Sequence, residues 1–96
     1  MTYRFLIPAS EELDQAVAYY EGQQKDLGHR FFGAVASGIA QILRMPTTWR
    51  KISRRARQYR VKQFPYGIIY EVVRDEIVII AVANLRRRFG YWKGRG

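Results

Sequence analysis

Residues 57–92 read RQYRVKQFPYGIIYEVVRDEIVIIAVANLRRRFGYW, and this stretch decides the fold. Runs rich in valine, isoleucine and tyrosine alternate with turn residues, which is the pattern of a β-meander. The tripeptide PYG marks a first turn, and the dipeptide RD marks a second, tighter one. Residues 77–83 are seven consecutive apolar residues, which suits a central strand covered on both faces. The sequence therefore predicts three antiparallel strands followed by a basic, aromatic tail.

The first strand of this meander has two chemically different faces. Because side chains alternate along a strand, Tyr59 and Val61 share one face, whereas Arg60 and Lys62 share the other. The apolar face predicts contact with the core. The opposite face predicts a cationic surface.

The N-terminal part of the chain supplies elements that cover the sheet. Residues 2–7 (TYRFLI) predict a short strand, which Pro8 ends. Ser10 suits the N-cap of a helix over residues 9–23, with two glutamates in its first turn. One buried face of this helix is marked by apolar residues at helical spacing, namely Leu13, Ala16, Val17 and Tyr20.

A second amphipathic helix follows a connector at residues 25–28 and ends at Pro46. Small residues within it predict close approach to a neighbouring element, and they are Gly33, Ala34 and Gly38. Residues 46–56 predict an irregular basic connector. The fold class is therefore α+β: a helix hairpin packed on a small antiparallel β-sheet, in the order β-α-α-β-β-β, with a basic aromatic C-terminal tail.

Length and composition limit the possible functions. Ninety-six residues suit one domain, so we assign residues 1–96 to a single unit. The chain has no cysteine and one histidine, so we expect neither disulfides nor a metal site, and no cofactor. The N-terminus lacks an apolar secretory region, and the longest apolar run is too short to cross a bilayer. We therefore expect a cytoplasmic protein that does not bind membranes.

The charge is concentrated in the second half of the chain. Residues 1–45 carry four basic and five acidic groups, whereas residues 46–96 carry thirteen basic and three acidic ones, within a total of +9. A field of this kind attracts phosphate backbones or an acidic protein, and by itself it does not choose between them.

Short motifs recur in a fixed order along nearly the whole chain. They are Glu12-Leu13 and Tyr19-Tyr20-Glu21 in the first helix, Leu27-Gly28 and Phe31-Phe32 at the second, Pro46 and Trp49 after it, Phe64-Pro65-Tyr66 at the turn, and Arg87 with Gly90-Tyr91-Trp92 in the tail. In this order and spacing they resemble the RelE/ParE superfamily of toxins from type II toxin-antitoxin systems. The helices and the Phe-Pro-Tyr turn are more similar to the ParE branch.

The resemblance to the ParE branch implies a toxin that inhibits growth by poisoning DNA gyrase. It also implies a hetero-oligomer with a cognate antitoxin, whose acidic, poorly ordered segment folds onto the toxin and neutralises it. Poisoning of this kind needs a docking surface, and arginine, tyrosine and tryptophan are favoured at such surfaces. The residues that we expect to bind the target or a nucleic acid are Arg60, Lys62, Arg86, Arg87, Arg88, Tyr91 and Trp92.

Two alternatives remain open from the sequence. A resemblance to the RelE branch implies a ribosome-dependent, metal-free mRNA endoribonuclease. Arg60 and Arg87 would then stabilise the developing charge, and Tyr91 would transfer a proton if neighbouring cations lowered its pKa. Two departures weaken this alternative, since Gly67 follows the turn tyrosine where that branch has an arginine, and Asn84 stands where many relatives have a histidine. The other alternative is a non-toxic, nucleic-acid-binding relative.

Overall fold

Two helices and five strands make up the protein in the computed structural model, which describes residues 1–95. The elements are β1 (Thr2–Phe5), α1 (Ile7–Gln23), α2 (Leu27–Arg44), β2 (Arg50–Lys51), β3 (Ala56–Arg60), β4 (Tyr66–Val73) and β5 (Glu76–Asn84). The predicted α+β class, the helix hairpin and the three-stranded meander are confirmed. The segment predicted to be irregular contains the additional two-residue strand β2.

The five strands form one sheet in the order β1-β5-β4-β3-β2. The meander β3–β5 is antiparallel throughout, as the turn residues predicted. The sheet as a whole is mixed, because β1 pairs in parallel with β5 after the chain has crossed over through both helices. β2 adds to the other edge by pairing with β3.

Helix α1 begins two residues earlier than the sequence predicted, and Leu6 is its N-cap residue. Pro8 lies in the first turn, where its missing N–H costs nothing, so it does not end a strand there. The Ser10 N–H donates to the Leu6 carbonyl at 3.0 Å, which makes Ser10 a helical residue. The prediction of Ser10 as the N-cap is therefore wrong, and Glu11 and Glu12 lie beyond the first turn.

Helix α2 also begins inside its predicted connector, at Leu27. Asp26 adopts a left-handed conformation (φ 70°) and has no side-chain cap bond of its own. The carboxylate of Glu21 replaces that cap, because it accepts the N–H groups of Asp26 at 2.9 Å and Gly28 at 3.0 Å. A cap donated by the preceding helix is invisible to a local sequence pattern.

The core has two layers, one on each face of the sheet. The helices pack on one face with the buried side chains Ala9, Leu13, Ala16, Phe31, Val35, Ile39, Ile42, Tyr59, Val61, Ile68, Tyr70, Ile77, Ile79 and Val82. The other face is covered by the C-terminal tail and buries Ala56, Ile69, Ile80, Ala81, Ala83 and Trp92. β5 is therefore covered on both faces, as its apolar run predicted.

A β-bulge in β5 explains how its side chains are divided between the layers. Opposite β4, the register shifts so that Ile69 pairs with Ala81 and Tyr70 pairs with Ile79, which leaves Ile80 as the extra residue. Ile80 and Ala81 consequently point to the same face.

No helix in the part of the chain that the structure describes is long and apolar enough to cross a membrane.

Candidate functional site

The tail leaves β5 through a turn that Asn84 stabilises. The Asn84 side-chain oxygen accepts the Arg86 N–H at 2.9 Å, and its backbone carbonyl accepts the Arg87 N–H at 3.0 Å. The Leu85 N–H donates to the Pro65 carbonyl at 2.8 Å, which ties this exit to the turn between β3 and β4. Asn84 thus forms an Asx turn that sets the direction in which the arginines leave the sheet.

A largely buried carboxylate, Glu12 of α1, holds the tail against the sheet. Its Oε1 accepts the Val82 N–H and Arg95 Nη1, both at 3.0 Å. Its Oε2 accepts the Tyr91 hydroxyl at 2.7 Å and Arg95 Nη2 at 3.1 Å. We call this set of contacts the Glu12 clamp.

The Glu12 clamp also closes an open edge of β5. Strand β1 bonds to β5 only as far as Ile79, whose carbonyl accepts the Leu6 N–H at 2.9 Å. Beyond that point the Val82 N–H is bound by Glu12, and the Ile80 carbonyl accepts Arg95 Nη1 at 3.2 Å. Beyond Ile79, side chains therefore take the place of a neighbouring strand and satisfy the backbone hydrogen bonds of β5.

The role of Glu12 was missed from the sequence, although one signal was present. Glu12 lies three residues after Ala9 and four before Ala16, so it shares the buried face of α1. A carboxylate on a buried face needs partners, and here they come from residues 70 to 83 positions away.

Tyr91 is bound in a way that opposes proton transfer. Burial raises the pKa of Tyr91, and the hydrogen bond to Glu12 raises it further, while Arg87 and Arg95 lower it by less. The guanidinium carbon of Arg87 lies 4.1 Å from the centroid of the Tyr91 ring, and that of Arg95 lies 5.2 Å away. The cations stack on the ring, yet the net pKa shift is opposite to the one that an acid-base role at neutral pH requires.

The structure separates the predicted binding residues into three groups. Arg86, Arg87 and Arg88 are exposed beside the end of β5, together with the exposed ring of Phe89. Trp92 is only 5% exposed and packs in the core layer between the tail and the sheet. It therefore supports the tail, and its side chain is not accessible to a ligand. Arg60 and Lys62 are also exposed, and they line a different cavity.

Two adjoining cavities lie beside the tail arginines. One, of about 490 Å³, is lined by Arg86 and by aromatic residues that include Tyr19, Tyr20 and Tyr66. The other, of about 220 Å³, is lined by Arg87, Tyr91 and Glu12 and shares Tyr19 and Tyr66 with the first. Burial raises the pKa values of Tyr20 and Tyr66, so both phenols stay neutral to a higher pH than a free tyrosine does. The tail arginines are thus the charged groups that dominate this end of the sheet.

A third cavity, of about 630 Å³, lies between α2 and strands β2 and β3. It is lined by Ser37, Gln41, Trp49, Arg50, Gln58, Tyr59, Arg60 and Lys62, which include three cations and no carboxylate. The Trp49 ring nitrogen is buried and has no hydrogen-bond partner. Across residues 1–95, no group of three or more histidine, cysteine, aspartate or glutamate side chains is arranged to hold a metal ion.

The fold is that of the RelE/ParE superfamily of toxins. Within it, the family described as the ParE toxin of the type II toxin-antitoxin system, parDE, matches residues 3–89, and the chain belongs to this family. The match spans the helices, the sheet and the tail arginines, and it stops before Tyr91. An antitoxin is the partner that membership of this family implies.

The comparison with solved structures supports the same fold. The chain is similar to one described as the chromosomal ParDE TA system from P. aeruginosa, with a TM-score of 0.64 and 15% sequence identity. The similarity covers 88% of this chain and 96% of that one. No curated protein matches the sequence significantly.

Proposed function

We propose that this member of the ParE toxin family inhibits growth by docking on DNA gyrase, and that a cognate acidic antitoxin neutralises it. Gyrase is a cytoplasmic enzyme, so the proposal places the toxin in the cytoplasm. The observation that carries the proposal is the Glu12 clamp, which fixes the tail while Arg86, Arg87 and Arg88 remain exposed. None of these three cations has a carboxylate within ion-pairing distance in the described part of the chain.

A fixed cationic surface suits docking because little conformational entropy is lost when a partner binds it. The entropy lost when a long side chain is immobilised opposes association by roughly 0.5–1.5 kcal/mol per side chain, and ordering a loop adds to this. Here the backbone of the tail is already ordered by Asn84 and Glu12. The exposed Phe89 adds an aromatic contact of the kind found at hot spots.

Cleavage of RNA is supported less well by the same geometry. Proton transfer during RNA cleavage would have to involve Tyr91, whose pKa is raised by burial and by Glu12. Arg60 lines a different cavity from Arg87 and Tyr91, so the three residues do not line one common pocket. Arginine stabilises charge but does not shuttle protons at neutral pH. The endoribonuclease alternative keeps these three residues as its catalytic candidates.

The antitoxin would occupy the cavity of about 630 Å³ between α2 and β3. Arg50, Arg60 and Lys62 attract an acidic segment, while Tyr59 and Trp49 provide apolar surface for its burial. The unpartnered Trp49 ring N–H is available to a carbonyl or a carboxylate of that segment.

Controlled expression tests the proposed target directly. The chain is expressed from a tightly repressed promoter, and DNA and protein synthesis are followed by separate pulse labels as growth stops. We expect DNA synthesis to fail first, with gyrase-linked breaks in the chromosome. Early failure of translation with cleaved messages would establish the endoribonuclease instead, and unimpaired growth with soluble, folded protein would establish the non-toxic relative.

A further inference from the structure

A second basic surface lies at the opposite end of the sheet from the tail. It is formed where β4 ends and β3 and β5 begin, around a cavity of about 470 Å³. Its charged residues are five cations and one carboxylate, namely Lys51, Arg54, Arg55, Arg57, Arg74 and Glu71. We call it the β4-end surface. The eight residues of β4 separate it from the tail arginines by roughly 25 Å, from the rise of about 3.3 Å per residue.

The cations of the β4-end surface are not neutralised within the protein. The ion pairs found among residues 1–95 join Arg4 to Glu76 and Arg95 to Glu12, and neither involves this surface. Arg54, Arg55 and Arg74 are exposed. Five cations gathered around the single carboxylate of Glu71 leave an excess of positive charge, which destabilises the folded state modestly unless a ligand neutralises it.

Hydrogen bonds order the backbone that carries these cations. The Ser53 hydroxyl accepts the Ala56 N–H at 3.2 Å, and the Ile52 N–H donates to the Ala56 carbonyl at 2.9 Å, which closes the loop that carries Arg54 and Arg55. Arg57 is anchored by its own hydrogen bond from Nη1 to the Trp49 carbonyl at 2.9 Å. The backbone that displays the charges is therefore ordered before any ligand binds.

The composition of this surface distinguishes between possible partners. Its lining contains no aromatic residue, so it has neither a platform on which unpaired bases stack nor an aromatic anchor for a protein partner. Four of its five cations are arginines, whose planar guanidinium groups bind phosphate through two parallel hydrogen bonds. A regular, stacked duplex offers phosphates without requiring contacts to its bases.

We propose that the β4-end surface binds the phosphate backbone of duplex DNA. The choice of DNA over RNA rests on the proposed function, because a toxin directed at gyrase meets its target on duplex DNA. We expect the binding to be independent of sequence, since contacts to phosphate carry no information about the bases. The tail and the β4-end surface would then contact the enzyme and its DNA from opposite ends of one rigid sheet.

The salt dependence of binding gives a quantitative expectation. If all five cations contact phosphates, the logarithm of the binding constant falls with the logarithm of salt concentration with a slope of about −4.5. Affinity would then fall about 500-fold between 50 and 200 mM salt, and only about 12-fold if three of the five contacts were removed.

The test measures the fluorescence anisotropy of a labelled 20-base-pair DNA duplex with the purified full chain. The surface variant is Arg54→Gln, Arg55→Gln and Arg74→Gln. Its matched control is Lys25→Gln, Arg30→Gln and Arg44→Gln, which removes three exposed charges from the helix hairpin and its connector. We expect the surface variant to lose at least tenfold in affinity at 100 mM salt and to show a slope near −2, while the control stays within threefold of the wild type.

Several outcomes would overturn the proposal. Equal losses in both variants would show that net charge alone drives binding, and tighter binding of a duplex RNA or of poly-glutamate would assign the surface to another partner. If the surface variant does not fold, as judged by circular dichroism, Lys51→Gln with Arg54→Gln replaces it against Lys25→Gln with Arg30→Gln. Gyrase poisoning without duplex binding would refute only the proposal that the β4-end surface binds DNA. Duplex binding without gyrase poisoning would refute the proposed function and leave the proposal for the β4-end surface intact.

Discussion

Replacement of Glu12 by alanine is the most informative single change in this protein. It removes the acceptor of four hydrogen bonds, from the Val82 N–H, the Tyr91 hydroxyl and two nitrogens of Arg95. A buried donor left without a partner costs about 1–3 kcal/mol, and a hydrogen bond to a charged group contributes about 1.5–3 kcal/mol. These contributions overlap, because water reaches Arg95 once the carboxylate is gone.

We expect the variant to lose about 3 kcal/mol of unfolding free energy, which is a large part of the 5–15 kcal/mol typical of such domains. For a chain of this length, that loss lowers Tm by roughly 15 °C, at about 4–8 °C per kcal/mol. Glu12→Gln keeps one acceptor oxygen and the shape of the side chain, so its loss is expected to be about half as large.

Thermal melting followed by circular dichroism measures the effect, and Glu11→Ala is the matched control. Glu11 neighbours Glu12 on the same helix but is exposed, so its replacement should change the stability by less than about 0.5 kcal/mol. In a Trp49→Phe background, the fluorescence of Trp92 reports whether the tail has left the sheet. If Glu12→Ala melts within 2 °C of Glu11→Ala, or if Trp92 stays shielded, the Glu12 clamp does not hold the tail.

Three further predictions address the tail, the core and the alkaline limit of stability. Arg87→Gln combined with Tyr91→Phe should abolish growth inhibition in a colony assay while antitoxin binding persists, and a fully toxic double variant would remove the tail from the mechanism. Gly38→Ala should destabilise the fold by about 1–3 kcal/mol in urea unfolding, since the added Cβ would lie 2.7 Å from a tyrosine ring carbon on β3. Gly33→Ala, which meets nothing within 4 Å, should instead be neutral or stabilising by up to about 1 kcal/mol. Burial raises the pKa of Tyr70 to about 12, so the stability it contributes is complete below pH 10 and is lost as the pH rises towards 12. Tyr70→Phe should remove roughly 2–3 kcal/mol of the alkaline loss of stability, while the part due to Tyr91, whose pKa is also raised, remains.

The sheet was predictable from sequence because its signals are local. The apolar run of β5 predicted burial on both faces, and the alternation around Tyr59 and Val61 predicted which face of β3 packs on the helices. Gly38 lies against the sheet as its position in the second helix suggested, whereas a Cβ added at Gly33 would meet nothing within 4 Å, so the predicted close approach there is wrong. β2 was missed because two paired residues in a basic segment carry no periodicity.

The start of α2 and the support of the tail were not predictable, because the side chains that determine them lie on other elements of the fold. The cap of α2 comes from Glu21 on the preceding helix, so no side chain at the N-terminus of α2 signals it. The partners of Glu12 are contributed by β5 and by the tail. Only the position of Glu12 on the buried face of α1 signalled that it had a structural role.

One contact, between Glu12 and Tyr91, bears on both proposed roles of the tail, proton transfer and docking. Burial raises the pKa of the Tyr91 phenol and its hydrogen bond to Glu12 raises it further, which makes Tyr91 a weaker acid-base group. The same bond fixes the ring on which the Arg87 guanidinium stacks at 4.1 Å, so it also orders the cation. A tail selected for catalysis would need a phenol free to exchange its proton, whereas a tail selected for docking needs a rigid one. The Glu12 clamp holds the tail rigid and makes the Tyr91 phenol less acidic. The geometry therefore favours a toxin that docks on its target over one that cleaves RNA.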